Sequence, residues 1–259
     1  MKKVVLSVTV ITFILIGCNK EPRIDSEKNF GIVLSFDDFY SSWEQHFYLF
    51  DKYDARVTFF VVGDSVSDFM LNAQNRGHEI GYHTVSHPRL SEVSREEFFE
   101  QTISRIGIFR DAGIELTSFA YPYGNYELWM NDELLQYYKS VRDVKTLEMS
   151  GRGFNNFNAK IFYSKEEMKF GLFFSASIDN IVYIKKKFLT DKIKLLQDIL
   201  FRYDINRKVK YAKKHGKILL LHTHNISGDD WGITTERLEY VLQLCKKHGL
   251  KFHTFKDFQ

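Results

Sequence analysis

Ile32-Val33-Leu34-Ser35-Phe36-Asp37-Asp38 is an apolar run closed by two carboxylates. A strand with one wet face alternates apolar and polar residues, whereas a strand buried on both faces, as in a parallel sheet, is a continuous apolar run. The stretch therefore predicts a parallel sheet, with Asp37 and Asp38 at the C-terminal end of one strand. Neighbouring residues of a strand point to opposite faces, so both carboxylates serve one site only if the strand breaks there. Phe39-Tyr40-Ser41-Ser42 follows and suits such a turn.

Working outward, Ser41 and Glu44 form a capping-box pattern, and Trp43, Phe47 and Phe50 repeat at helical spacing. Residues 56–62 predict a second strand, 65–76 a helix closed by Gly77, and 79–82 a third strand. Ser94 with Glu97 repeats the capping box and opens a helix to about residue 110. Residues 117–120 are a short strand running into Tyr121-Pro122-Tyr123-Gly124. Between 146 and 216 lie a polar stretch, an apolar run at 171–177 and a basic amphipathic region at 183–214, assigned to helices. Residues 217–221 are a strand ending at His222-Thr223-His224, 235–248 a helix capped by Gly249, and 251–255 a last strand. Strands alternating with helices imply βα units.

His83 and His87 lie four residues apart on a segment that begins apolar and ends at Pro88, so their imidazoles can converge on one point. A carboxylate of the acidic pair is the candidate third ligand. Two histidines and a carboxylate with an open position are the donor set of a catalytic zinc. Asp37-Asp38, His83/His87 and Pro122-Tyr123 all fall just beyond predicted strand ends, where barrel and open α/β enzymes build their sites.

The chain has 259 residues, enough for a sizeable core, with 44% hydrophobic and 16% aromatic residues. Its net charge of +3 gives no support for a nucleic-acid-binding surface. Lys2-Lys3 and the apolar run 4–16 read as an export signal, too short for a comfortable membrane span, with an uncleaved anchor helix as the other reading. They end at Leu15-Ile16-Gly17-Cys18, which resembles the lipobox of bacterial lipoproteins and implies lipidation of Cys18. The expected organisation is a signal peptide over 1–18, a polar tether over 19–29 and one domain over 30–259. The expected location is the bacterial cell envelope, lipid-anchored to a membrane. With Cys18 lipidated, Cys245 is the remaining thiol; it falls in phase with Leu238, Val241 and Leu242 and predicts core packing.

In this order, acid pair, His-x-x-x-His, Pro-Tyr-Gly and a late histidine resemble the polysaccharide deacetylase family, carbohydrate esterase family four. The resemblance implies a distorted (β/α)7-type barrel with its active site at the C-terminal strand ends. It implies an acetyl-removing hydrolase acting on an acetylated glycan, and one divalent metal, Zn2+ first with Co2+ or Ni2+ as alternatives. It further implies Asp37 as general base, and Asp38, His83 and His87 as metal ligands. Pro122 and Tyr123 would line the groove, with the Tyr123 N–H aimed at the oxyanion. His224, with His222 as second choice, would be the general acid. Many members carry an arginine two residues before the motif's proline, paired with the base; here that position is Ala120. Arg142 is the candidate replacement, a surface arginine being the other reading, and Asp179 is the best placed acid for a supporting motif. A monomer is expected. The competing function is a carbohydrate-binding lipoprotein that kept the fold and lost the chemistry. A zincin is disfavoured because Thr84 stands where His-Glu-x-x-His has its glutamate.

Overall fold

Strand β1 (Gly31–Asp38) sends alternate residues into two cores. Ile32, Leu34 and Phe36 pack outward in the large cluster beneath the helices, while Val33 joins Phe60, Ala120, Ile218, Leu220 and Phe255 in a smaller inner one. Both faces of the strand are thus buried, which is why the run needs no polar alternation until Ser35 and Asp37. The computed structural model describes residues 30–143, 161–163, 173–179, 191–227 and 231–259. The expected signal peptide, lipidation site Cys18 and tether lie outside the described residues.

After β1 come α1 (Ser42–Gln45), α2 (Phe47–Tyr53), β2 (Thr58–Val61), α3 (Asp68–Asn75) and β3 (Glu79–Tyr82). Then follow α4 (Arg95–Thr102), α5 (Ile106–Asp111), β4 (Ser118–Ala120), α6 (Leu128–Leu134), β5 (Ser140–Arg142), β6 (Ile161–Tyr163) and β7 (Phe173–Ser177). The chain continues with α7 (Asp191–His215), β8 (Ile218–Thr223), α8 (Thr235–His248) and β9 (Lys251–His253). The sheet order is β6-β5-β4-β3-β2-β1-β8-β7, parallel except where β6 runs antiparallel to β5. The result is a curled parallel half-barrel of the (β/α) type, wrapped by helices. β1 is its axis: Gly31–Phe36 pairs with β8, Ser35–Asp38 with β2, and Gly31–Val33 with β9.

Several local expectations change. The helix expected after Ser41 is two short helices, and Ser41 makes no side-chain cap. The neighbouring Ser42 hydroxyl instead donates to Asn225 Oδ1 at 2.6 Å and accepts from Ile226 N–H. The helix opened by Ser94, whose hydroxyl does accept from Glu97 N–H, breaks at residues 103–105. Within the apolar run expected to be helical, residues 173–177 form strand β7 instead, paired in register with β8. Strand β6 had no expected counterpart. Helix α8 matches its expected bounds, with Thr234 as N-cap and Gly249 left-handed at its end. Cys245 is fully buried and burial pushes its thiol upward, as a packed core thiol requires.

The inner face is polar at its base. Glu79 accepts there from Thr58 Oγ1 (3.0 Å), Ser118 Oγ (2.5 Å) and the Lys256 N–H (3.0 Å), and Gln259 donates to Ser118 and Ser140. The C-terminal turn Phe255–Phe258 thereby closes the base of the half-barrel, leaving the opposite end for chemistry. Among the described residues no helix is long and apolar enough to cross a membrane.

Candidate active site

The break expected between Asp37 and Asp38 is present. Asp38 has φ 85°, a left-handed conformation that swings its carboxylate off the outer face of β1. Thr84 (φ 76°), His87 (φ 60°) and Tyr123 (φ 57°) share this unusual backbone, and all belong to the loops at the C-terminal end of the sheet. Each holds strain that the surrounding contacts must sustain, the usual mark of a functional constellation. The His83–His87 loop is braced by α4: Val85 N–H donates to Gln101 O, and Ser86 N–H to Gln101 Oε1. Thr84 Oγ1 accepts from His87 N–H at 2.9 Å.

These constraints bring Asp38, His83 and His87 together. Asp38 Oδ1 lies 3.2 Å from His87 Nε2 and 3.6 Å from His83 Nε2, and the two Nε2 atoms are 3.2 Å apart. Donor atoms about 2.0–2.1 Å from a tetrahedral zinc stand roughly 3.3 Å from one another. The donor chemistry fits as well. His83 Nδ1–H donates to the Ala120 carbonyl at 2.7 Å, which leaves the Nε2 lone pair facing inward. Burial holds the His83 imidazole down to about 4 and also lowers His87, against the pull of the nearby aspartates, so both rings are neutral as ligands must be. Asp38 Oδ1 is buried with no hydrogen-bond donor, while Tyr40 Oη donates to Oδ2 at 3.1 Å. A carboxylate oxygen orphaned between two imidazole lone pairs is an arrangement that could hold a cation. Tyr40 was not foreseen; only its place two residues after Asp38 could have suggested it.

Asp37 points to the inner face and pairs with Arg142, each 1% exposed. The surface reading of Arg142 is therefore excluded. Register explains how it arrives: Ala120 on β4 lies opposite Arg142 on β5, so the guanidinium comes from the strand beside the position that Ala120 leaves small. Phe60, in register with both Asp37 and Gly81, lies beneath the guanidinium at 4.5 Å from its ring centre. Gly81 is needed for this, since a Cβ there would stand 2.5 Å from the Phe60 ring. Burial works to raise the Asp37 carboxyl, but Arg142 and then His83, His224 and His222 hold it well below the usual carboxylate range.

On the other flank, Asp179 follows β7 and faces the end of β8. It accepts from Thr223 Oγ1 at 2.6 Å and His224 N–H at 3.2 Å, and its Oδ2 lies 2.9 Å from His224 Nδ1. Trp43, fully buried, donates its indole N–H to the His224 carbonyl at 2.8 Å. Burial alone would lower His224, yet the Asp179 hydrogen bond and the charges of Asp37 and Asp179 raise it to about 9. His222, 4% exposed, is held down at about 4 by burial and by Arg142. The two histidines thus differ in charge at neutral pH. On the third flank, Pro122 is buried, while Tyr123 is half exposed, its ring 4.5 Å from that of His87 and beneath the Arg89 guanidinium.

Residues 25–142 match the sequence profile of the polysaccharide deacetylase family. A peptidoglycan-N-acetylglucosamine deacetylase of Listeria monocytogenes is 31% identical over 112 residues, 40% of this chain and 24% of that protein. Residues 25–142 thus form a polysaccharide deacetylase-type region. Chitin deacetylase 1 of Cryptococcus neoformans is similar to the same extent, 32% identical over 117 residues, 42% of this chain and 24% of that protein. The matched region thus spans about a quarter of the length of these relatives. The fold matches more widely. A chitin deacetylase from Colletotrichum lindemuthianum superposes with TM-score 0.58 at 16% identity, covering 89% of this chain and 88% of the other. The peptidoglycan deacetylase PdaC of Bacillus subtilis gives 0.54 at 18% identity, covering 90% and 91%. Asp38, His83, His87 and the Asp37–Arg142 pair fall inside the profile match, whereas Asp179 and His224 lie beyond it.

Proposed function

We propose that this chain is a metal-dependent hydrolase that removes acetyl groups from an acetylated glycan, N-acetylhexosamine units first. The observation that carries the reading is the separation of two titrating groups on either side of one cation site: Asp37 held ionised by Arg142, and His224 held protonated by Asp179. Environments that push neighbouring pKa values apart are how one site supplies both a base and an acid. Asp38, His83 and His87 would hold the metal, with Zn2+ the ion that best suits one carboxylate and two imidazoles. Bound there, the ion would supply Lewis acidity, lowering the pKa of water and polarising the acetyl carbonyl.

The chain's own groups do the rest. Asp37 accepts the proton of the attacking water, and its ion pair keeps it ready to do so at neutral pH. The N–H of Tyr123, presented by a left-handed residue at the groove edge, donates to the carbonyl oxygen as negative charge develops on it. His224 delivers its proton to the departing amine, so that water and acetamide become acetate and amine. What supports His224 over His222 is its greater exposure and its protonation. The binding-only alternative rested on Ala120, and Arg142 takes away that ground by supplying the guanidinium from β5.

Acetate release from metal-loaded protein tests the reading on oligomers of N-acetylglucosamine, peptidoglycan and O-acetylated xylan. Release should drop at least about a hundredfold in Asp37→Asn, the scale of a lost general base. Absence of acetate from every one of these glycans would refute it. We further propose export and lipid anchoring at Cys18, supported by Lys2-Lys3, the apolar run 4–16 and Gly17. Fatty-acid labelling lost on Cys18→Ser checks that proposal.

A further inference from the structure

Trp231 is a large apolar side chain left 69% exposed beside the proposed acid, its ring centre 6.2 Å from that of His224 and roughly perpendicular to it. Its backbone is held firmly. Asn225 N–H donates to the Trp231 carbonyl at 3.2 Å, and Ile233 N–H to the Asn225 carbonyl at 2.8 Å. Asn225 is itself tied to Ser42, and Ile226 and Ile233 on either side are buried. Gly232 permits this close approach, since any Cβ there would run into the Asn225 carbonyl. A braced stem that presents an uncovered indole forgoes apolar burial, part of which a ligand seated on it recovers. Tyr123, another exposed ring at the site, already carries the Arg89 guanidinium on its face.

We propose that Trp231 is a stacking platform for a pyranose ring of the substrate chain, and that it makes the site prefer oligomers over single sugars. The inference rests on His224 acting as the acid. The amine that leaves belongs to the sugar, so the group that protonates it marks the side of the site on which the sugar lies. The acetyl carbonyl lies on the other side, toward Asp38, His83 and His87. The C–H face of a pyranose is apolar, and a flat indole covers it without demanding a particular hydrogen-bond pattern. The platform therefore reads the presence of a sugar ring next to the reacting unit rather than its substituents.

The test compares the N-acetylglucosamine pentamer with the monomer, using metal-loaded wild type, Trp231→Ala and Trp231→Phe. The ratio of kcat/KM for pentamer over monomer should fall about tenfold in the alanine variant, mainly through KM, and recover largely in the phenylalanine variant. If Trp231 merely positioned His224, both substrates would suffer alike and the ratio would stand, which overturns the proposal. Calorimetric binding of the pentamer separates this inference from the deacetylase reading. Binding weakened by Trp231→Ala without acetate release by wild type refutes the enzyme and upholds the platform. Equal binding by wild type and variant, or none by either, refutes the platform.

Discussion

Two charged pairs, Asp37 with Arg142 and Asp179 with His224, set the protonation of the site one residue at a time. Arg142→Met would leave Asp37 buried without its counter-charge. Removing one partner of a buried ion pair costs about 3–5 kcal/mol, a loss that urea denaturation would read directly. The same change should slow acetate release, because the Asp37 carboxyl then rises, burial being opposed only by the smaller pulls of His83, His224 and His222. Asp179→Asn acts on the opposite limb. His224 is protonated below about 9, so activity that needs its proton falls as pH rises through that value. Without the Asp179 charge the alkaline limb of kcat/KM should move down toward the ordinary histidine value of 6.5. A limb that stays in place would show that His224 is not the acid.

At the scale of the elements, the half-barrel holds its active end by closing its base. Burial raises the Glu79 carboxyl, yet Thr58, Ser118 and Lys256 N–H all point donors at it. Glu79→Ala leaves those donors buried and unpaired, each worth about 1–3 kcal/mol. The expected loss is about 3 kcal/mol or more in urea, with the C-terminal turn exchanging its amide hydrogens first. Helix α8 and strand β3 were legible to the residue because their signals are local: a capping threonine, a helical stripe, a terminal glycine. The segment after Ser41 was not. Its capping pattern is genuine in sequence, but Ser42 gains a better partner in Asn225, distant in the chain, and the helix is cut short.

Over the whole molecule, pH reaches stability through buried neutral imidazoles. His78 stacks among Phe47, Phe50 and Phe59 and accepts from Val57 N–H, and burial takes it down to about 4. The unfolded chain takes up a proton near 6.5, whereas the folded chain resists until about 4, so stability is lost as pH falls between these values. Each unit of that gap is about 1.4 kcal/mol, about 3 kcal/mol in all. His78→Gln, which keeps an acceptor for Val57, should flatten the pH dependence of the urea midpoint; an unchanged slope would exclude His78 as the sensor. The sequence alone determined the parallel sheet, the strand ends that carry chemistry, and the convergence of His83 with His87. These follow from local periodicity and short spacing, which any chain of this pattern must express. Only the tertiary structure decided that Arg142 on β5 reaches Asp37 beside Ala120, that Asp179 hydrogen-bonds His224, and that β6 closes one edge in reverse. Each of those depends on strand register between distant segments, and register is set by the packing of the whole sheet rather than by any one stretch of it.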